Sequence, residues 1–230
     1  MKKILIILAL VIGMTACENQ EWNFPDYDYT SGYFPYQFPV RTLVLGDYIF
    51  DNTNDNNHLF KISATMGGVY ENGMDRVFNI QYAPELAQNV LFKANTTDTV
   101  RLMPQAYYTL SSSTQLVIPK GEMSGGIDVQ LTDAFFNDPL SIKNTYIVPI
   151  KLTGSTDVDT ILQGFSYKTN PDLRVTTAGE WEKLPKNFTM FAVKFINEYH
   201  GKYLHRGVNT VTQGGSVEET NVYRNKFIEK

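Results

Sequence analysis

Short strand-like runs separated by turn residues are the feature that most constrains the fold of this chain. HLFKISATMGGVY (58–70) alternates apolar and polar residues and breaks at Gly67-Gly68, and RVFNIQYA (76–83) alternates again. Further β-rich runs follow at short intervals as far as residue 155, with NDNN, ENG, SSS, PKG, SGG and NDP between the runs as predicted turns. Many short strands with almost no helical period predict an all-β sandwich or barrel.

Changes of composition along the chain predict five segments. They are a signal peptide (1–16), a polar tether (17–30), a β-sandwich domain (31–155), a looser linker (156–187), and the apolar, strand-like beginning of a second, incomplete β-domain (188–230). The last segment is too short to bury a core of its own easily. It therefore either packs on the first domain or opens a second one.

The single cysteine, Cys17, ends a pattern that is typical of a bacterial lipoprotein signal. A positive start at Lys2 and Lys3 precedes the apolar run ILIILALVIG (4–13), which MTA joins to the cysteine. The run is shorter than the roughly 20 residues that span a bilayer, so it predicts a cleaved secretory signal. In a lipobox the cysteine thiol is acylated and the chain is cut before it, which makes Cys17 the predicted lipidation site. The alternative is a buried free cysteine after an ordinary signal peptide.

Charge limits the partners of the mature chain. Without Lys2 and Lys3, 18 basic residues stand against 24 acidic ones, a net charge of −6. Such a chain has no electrostatic footprint for nucleic acid and no polybasic patch for an anionic leaflet, so the lipid is the predicted membrane contact. Glu18 and Glu21 closely follow the cysteine, which resembles the acidic stretch that Bacteroidetes lipoproteins often carry when they reach the outside of the outer membrane. The resemblance implies exposure at the cell surface.

The sequence offers no catalytic constellation. The three histidines, His58, His200 and His205, lack metal-ligand spacing and are interpreted as surface or turn residues. DNTNDNN (51–57) starts like a calcium loop but has no glycine at position six and no glutamate at position twelve, so we interpret it as a polar turn. We expect no metal, no cofactor and no enzymatic activity.

Aromatic residues are the remaining signal for ligand binding. Trp181 lies in the polar stretch AGEWEKLPKN, and Tyr107 and Tyr108 lie beside predicted loops. Exposed rings suit a sugar-binding face, because the C–H face of a pyranose packs on a π surface. These three residues are the predicted ligand-binding residues. The alternative is that the tyrosines are ordinary half-buried strand residues.

Long blocks of the sequence resemble a known family. YFPYQFPVRTLVLGDYIF, MPQAYYTLSS and IPKGEMSGGIDVQLTDAFFNDPLSIKNTYIVPIKLT are similar to the N-terminal domain of a Bacteroidetes lipoprotein family of unknown function, over roughly residues 31–155. A related domain precedes the catalytic barrel of some endo-β-N-acetylglucosaminidases. The resemblance implies an immunoglobulin-like β-sandwich and a role in glycan utilisation beside outer-membrane importer proteins. It carries over no catalytic residue.

Two tripeptides gain meaning from this resemblance. Asp98-Thr99-Val100 and Asp159-Thr160-Ile161 match the Asp-Thr-aliphatic signal for O-glycosylation in the Bacteroidetes periplasm. Thr99 and Thr160 are therefore the predicted modification sites.

The leading hypothesis is a non-catalytic outer-membrane lipoprotein, exposed at the cell surface, that captures or presents glycans for uptake. One alternative is a structural or assembly module of a surface complex, which would show an exposed apolar patch or an open sheet edge. Another is the leading domain of a truncated glycosidase.

The lipidation prediction is tested by Cys17→Ser. We expect the variant to lose membrane association in fractionated cells, because several acyl chains on the cysteine would supply the membrane affinity at about 0.8 kcal/mol per buried CH₂. A Cys17→Ser protein that stays with the membrane fraction would contradict the prediction.

Overall fold

A computed structural model describes residues 25–93, 97–175 and 179–229, and at residues 205, 218, 219 and 223–229 it describes the backbone alone. The predicted signal peptide and Cys17 lie outside these ranges, as does most of the tether. Within the described part of the chain, no helix is long and apolar enough to cross a membrane.

Strands dominate the described residues. The fifteen strands formed by these residues are β1 Ser31–Tyr33, β2 Val40–Val44, β3 Leu59–Gly67, β4 Arg76–Tyr82, β5 Arg101–Leu102, β6 Tyr108–Leu110, β7 Gln115–Ile118, β8 Ser124–Leu131, β9 Tyr146–Gly154, β10 Thr160–Ile161, β11 Phe165–Ser166, β12 Trp181–Lys183, β13 Phe188–Ile196, β14 Lys202–Gln213 and β15 Ser216–Glu229. Two short α-helices, α1 Thr53–Asn56 and α2 Asp133–Phe136, and 3₁₀ turns at Pro84–Ala87, Gln105–Tyr107 and Pro139–Ile142 join some of them.

Two sheets form the body of the protein. Sheet A has the strand order β10-β1-β3-β8-β6, and sheet B has the order β2-β13-β9-β4-β7 with β5 beside β9. The neighbours are antiparallel except for β1 with β10, β2 with β13 and β5 with β9, which are parallel. A separate pair, β11-β12, and a long hairpin, β14-β15, complete the strands. The predicted all-β sandwich is confirmed.

The alternation of the sequence builds the core between the sheets. In β3, Phe60, Ile62, Ala64 and Met66 are buried, while the residues between them are half-buried or exposed. These side chains join a cluster that includes the fully buried ring of Phe78 from sheet B. Because successive side chains of a strand point to opposite faces, one face of sheet A is dry and the other meets solvent.

Sheet B is covered on both faces. β9 and β13 have nearly continuous buried runs, in keeping with their mostly apolar sequences. The face turned away from sheet A carries Phe188, Met190 and Ala192, and it is covered by side chains from residues 83–92, Leu86 among them, together with Val100. The sandwich therefore has a second, smaller apolar cluster outside its main core.

The predicted domain boundaries at residues 155 and 188 are wrong. β13 pairs with β9 along Phe188–Val193 and with β2 along Ala192–Ile196, so it lies inside sheet B. The predicted linker 156–187 carries β10, β11 and β12, and its Val158 and Ile161 belong to the main core. The sandwich thus extends to residue 196. The place between β2 and β9 in sheet B is filled by β13, which hydrogen-bonds to both strands although it follows them much later in the sequence.

The predicted turn at Ser124-Gly125-Gly126 is also wrong. These residues begin β8 and pair with Thr65, Ala64 and Ser63 of β3. A Cβ at Gly125 would lie 2.1 Å from the backbone oxygen of Val117 and 2.6 Å from the Cα of Ile118, both in β7 of sheet B. Glycine is needed here because the two sheets approach each other backbone to backbone, not because the chain turns.

Gly125→Ala tests this close approach. We expect it to lower the free energy of unfolding by about 1–3 kcal/mol, because the contacting atoms are backbone and cannot rotate away. Gly73→Ala is the matched control, since Gly73 is exposed and a Cβ there meets nothing within 4 Å. Denaturant unfolding of both variants measures the difference, and equal stabilities would contradict the proposed contact.

Candidate functional site

A surface groove of about 820 Å³ lies where β10, at the edge of sheet A, meets the β11-β12 pair. We call it the aromatic groove. Its lining includes Tyr29, Gln163, Phe165, Lys183, Leu184 and Lys186. Tyr29 comes from the segment before β1, whereas the other residues come from the segment that joins β9 to β13. The groove therefore exists only because these two parts of the chain are brought together.

Hydrogen bonds to the backbone fix the Tyr29 wall. The amide and hydroxyl of Thr30 donate to Oδ2 of Asp159 at 2.7 and 2.8 Å, and the amide of Tyr27 donates to the Gly68 carbonyl at 2.8 Å. Gly68 has φ +103°, and a Cβ there would lie 2.3 Å from the Tyr29 carbonyl oxygen. The Gly67-Gly68 break in the sequence thus allows residues 27–30 to lie against the end of β3.

The opposite wall is built on the β11-β12 pair. Phe165 pairs with Lys183, and its ring is 59% exposed. Gly164 before it has φ +77°, and a Cβ there would lie 2.6 Å from the Lys183 carbonyl oxygen. Tyr29 is 48% exposed on the other side, and its ring meets that of Tyr27 edge to face with centroids 4.9 Å apart. Two aromatic side chains are therefore open to solvent in one groove.

Polar groups surround these rings. Gln163 and Lys183 are exposed, and Lys186 places its Nζ 5.2 Å from the ring centroid of Tyr33. In the described ranges neither lysine forms an ion pair. The backbone amide of Thr30, followed by its hydroxyl, lowers the pKa of Asp159, and hydrogen bonding with Tyr29 raises the pKa of Tyr27. The groove thus offers apolar faces together with hydrogen-bond donors and acceptors.

The predicted ligand residue Trp181 does not lie on an open surface. It begins β12, pairs with Ser166 and is 5% exposed, and its Nε1 is buried without a hydrogen-bond partner among the described residues. The prediction of an exposed indole is wrong. The surrounding stretch is polar, but one residue of a strand can point inward while its neighbours, such as Glu182, point to solvent.

Tyr107 and Tyr108 are also not exposed rings. Tyr108 is 2% exposed in the main core, and burial raises its pKa to about 12. Tyr107 is half-buried and its hydroxyl donates to Oδ2 of Asp138 at 3.0 Å, while the Tyr146 hydroxyl donates to the same oxygen at 2.5 Å. The alternative interpretation, half-buried strand tyrosines, fits each residue only in part, since Tyr107 is half-buried in a 3₁₀ turn and Tyr108 is a strand residue that is fully buried.

The hydroxyls of Tyr107 and Tyr146 stabilise the carboxylate of Asp138, which ties two segments of the chain together. Burial acts to raise the pKa of Asp138, but hydrogen bonds from the two tyrosines and from the Leu140 amide outweigh it and lower the pKa. Burial and the same hydrogen bond raise the pKa of Tyr146. We assign this cluster a structural role, since it joins the turn before β6 to β9.

The polar turn predicted at residues 51–57 is confirmed as a structural element. It contains α1, where the buried carboxylate of Asp55 accepts hydrogen bonds from the Arg41 guanidinium and, at 2.9 Å, from the Val44 amide. Of the histidines, His58 packs its ring 4.0 Å from that of Phe136 and His200 is exposed, while the side chain of His205 lies outside the described residues. No group of three potential metal ligands occurs among the residues described.

The two predicted glycosylation sites differ in their surroundings. Thr99 is exposed beside an isolated bridge to Leu91. Thr160 is half-buried in β10, where it pairs with Ser31. Both modifications stay predictions, and Thr99 is the more accessible of the two hydroxyls.

Sequence reasoning missed Phe165. Its neighbours in GFSY form no alternating run, so no periodic signal marked it. The nearest signal was the adjacent glycine, which is typical of a strained turn. Tyr27 and Tyr29 lie in the region predicted as a tether, and only tertiary contacts, such as those of Thr30 with Asp159 and of Asp26 with Tyr70, show that this region is part of the folded body.

Comparison with known proteins places the chain among Bacteroides proteins. Residues 27–159 match the sequence model of a protein family, and this family is described as an N-terminal domain. A crystal structure of a Bacteroides ovatus protein of unknown function is 38% identical, with a TM-score of 0.74 over 88% of this chain and 65% of that protein. No curated protein matches the sequence.

More distant structures are similar over most of this chain. A multidomain protein from Bacteroides ovatus is 12% identical, with a TM-score of 0.45 over 86% of this chain and 56% of its own. An auxiliary nutrient binding protein from Bacteroides thetaiotaomicron is 13% identical, with a TM-score of 0.39 over 84% and 56%. This chain spans 65% or less of the length of each of the three structures, and the two distant ones carry no functional argument.

The hydrogen bond that fixes the Tyr29 wall predicts a pH dependence. The pKa of Asp159 is lowered on folding. The ionised carboxylate therefore contributes to the stability of the folded state above the ordinary carboxyl pKa of 3.8, and this contribution is lost as the pH falls through the lowered pKa. We expect the Thr30 amide resonance to titrate with a midpoint below 3.8 in an NMR pH series. Asp159→Ala should abolish this titration, and a midpoint at or above 3.8 in the unchanged protein would contradict the assignment.

Proposed function

The chain belongs to this N-terminal domain family of Bacteroidetes proteins of unknown function, and from that premise we propose that it is a non-catalytic, lipid-anchored protein that captures glycans at the cell surface. The aromatic groove is the observation that carries the proposal. Tyr29 and Phe165 offer open ring faces on which the C–H face of a pyranose can pack, and Gln163 and Lys183 can bond its hydroxyl groups.

Binding without catalysis fits the carboxylates of the groove. Asp159 is the one carboxylate among its described lining residues, and its Oδ2 is held by Thr30. Canonical glycoside hydrolysis uses two carboxylates, roughly 5 to 10 Å apart, on either side of the scissile bond. The groove supplies one, and that one positions the backbone.

Lipidation at Cys17 would place this groove close to a membrane. Tyr29 is the twelfth residue after Cys17, and an extended chain spans at most about 3.5 Å per residue, so the groove wall would lie within about 40 Å of the lipid. A glycan held there would be within reach of an importer in the outer membrane. We propose the outer membrane as the location and an importer as the partner.

An assembly module is the second candidate, and one surface favours it. The loop after β2 exposes three successive large apolar side chains, Tyr48, Ile49 and Phe50, with Ile49 82% exposed. An exposed apolar patch of this kind is typical of a protein–protein contact. Such a contact is compatible with glycan capture, because the loop does not line the aromatic groove.

A pair of matched double variants tests glycan capture. Tyr29→Ala with Phe165→Ala removes both rings of the groove, whereas Tyr36→Ala with Phe50→Ala removes two rings elsewhere that are even more exposed. Aromatic contacts are worth about 0.5–1.5 kcal/mol each beyond the area that they bury, so we expect the first variant to weaken binding about tenfold or more. Calorimetry with a panel of soluble host and plant glycans measures the effect.

The control variant should bind like the unchanged protein. The absence of binding to every glycan, or an equal loss in both variants, would contradict the proposal.

A further inference from the structure

A second groove, of about 460 Å³, lies at the edge of the segment that covers sheet B. We call it the basic groove. Arg101, Lys143 and Lys194 line it together with Thr99, Asn144 and Thr145. It shares no lining residue with the aromatic groove, and no aromatic side chain occurs in its described lining.

Three separate parts of the chain bring the cations together. Arg101 lies in β5, which pairs with β9. The backbone amide of Arg101 donates to the Thr145 carbonyl at 2.8 Å. Lys143 directly follows the 3₁₀ turn Pro139–Ile142, which the Asp138 carboxylate caps at the Leu140 amide, 2.9 Å away. Lys194 lies in β13, where it pairs with Thr42. Hydrogen-bonded backbone on all three sides therefore holds the positive charges in place.

The local charge opposes that of the whole chain. Asp98 is the one carboxylate among the described lining residues, so the groove carries three positive charges against one negative charge. The full sequence has 20 basic and 24 acidic residues. In the described part of the chain, none of the three cations lies within 4.0 Å of a carboxylate oxygen. Clustered positive charge in a concave site raises the local concentration of anions.

The polar groups around the cations suit a saccharide better than a bare ion. A guanidinium presents paired donors that match the two oxygens of a carboxylate or a sulfate ester. Thr99, Asn144 and Lys143 are exposed and can bond hydroxyl groups nearby. The volume of the groove, about 460 Å³, is also much larger than a single small oxyanion needs. For comparison, one water molecule takes up about 30 Å³ in the liquid.

We propose that the basic groove is a second ligand site, which binds the oxyanion of an acidic saccharide, either a uronate carboxylate or a sulfate ester. The proposal rests on the proposed function only in taking the ligand to be a saccharide, and it does not need the aromatic groove. The protein would then hold an acidic glycan at one groove and neutral sugar faces at the other.

Matched pairs of probes test the oxyanion. Oligogalacturonate is compared with its methyl ester, which removes the charge and keeps the sugar, and dextran sulfate is compared with dextran. We expect calorimetry to show binding of at least one charged probe and of neither neutral counterpart at this groove, with affinity falling as salt rises because the cations are partly exposed. The charged probe that binds identifies the oxyanion. Protein from a host without O-glycosylation keeps Thr99 bare.

Matched charge variants test the location. Lys143→Gln with Lys194→Gln should raise the Kd for the charged probe at least about fivefold, since each lysine loses a charge-assisted contact. Lys61→Gln with Lys120→Gln changes the net charge equally on lysines that do not line the groove, and should leave the Kd unchanged. The single variant Lys143→Gln changes an exposed residue only. Its Kd, together with the thermal unfolding of every variant, distinguishes a loss of binding from a loss of folding.

Several results would overturn the proposal. They are equal binding of charged and neutral probes, equal weakening by both double variants, binding of inorganic sulfate without any acidic saccharide, and no binding at all. Tyr29→Ala with Phe165→Ala should leave the charged probe bound. Loss of neutral-glycan binding with the charged probe unaffected separates failure of one groove from failure of the other.

Discussion

The rest of the structure depends on the backbone hydrogen bonds that β13 makes on both of its edges. β13 is antiparallel to β9 along one edge and parallel to β2 along the other, so sheet B is complete only when the chain returns to it at residue 188. The segment between β9 and β13 must therefore cross from one sheet to the other. It does so by adding β10 to the edge of sheet A and folding β11 against β12, and this crossing forms one side of the aromatic groove.

The same strand contributes to both grooves in different ways. Its pairing with β9 and β2 fixes one end of the crossing segment that carries Phe165 and Lys183, whereas its own Lys194 lines the basic groove. Along β13 the outer face changes from apolar at Phe188, Met190 and Ala192 to charged at Lys194.

Polar side chains in this protein mainly hold the backbone in place. Asp55, Asp138 and Asp159 lie in three different connections between strands. Each carboxylate accepts a hydrogen bond from the backbone amide of another residue and from at least one side-chain donor. Such bonds satisfy backbone groups that would otherwise lose their hydrogen bonds to water. The segment DNTNDNN, which starts like a calcium loop in the sequence, is one example, because its Asp55 carboxylate holds the Arg41 guanidinium and the Val44 amide.

The sequence by itself determined the local properties of the chain. Alternation in HLFKISATMGG predicted β3 and its buried face, because this signal depends on residues that are neighbours in the chain. For the same reason the polar stretch DNTNDNN predicted a turn between strands, where the structure has the single helical turn α1. Tertiary structure alone decided the rest. Whether Trp181 faces inward, whether Gly125 turns the chain or admits another strand, and which residues meet across a groove all depend on contacts between segments far apart in sequence. The physical reason is that strand pairing satisfies backbone hydrogen bonds whatever the intervening sequence, so the partner of a strand cannot be known from that strand alone.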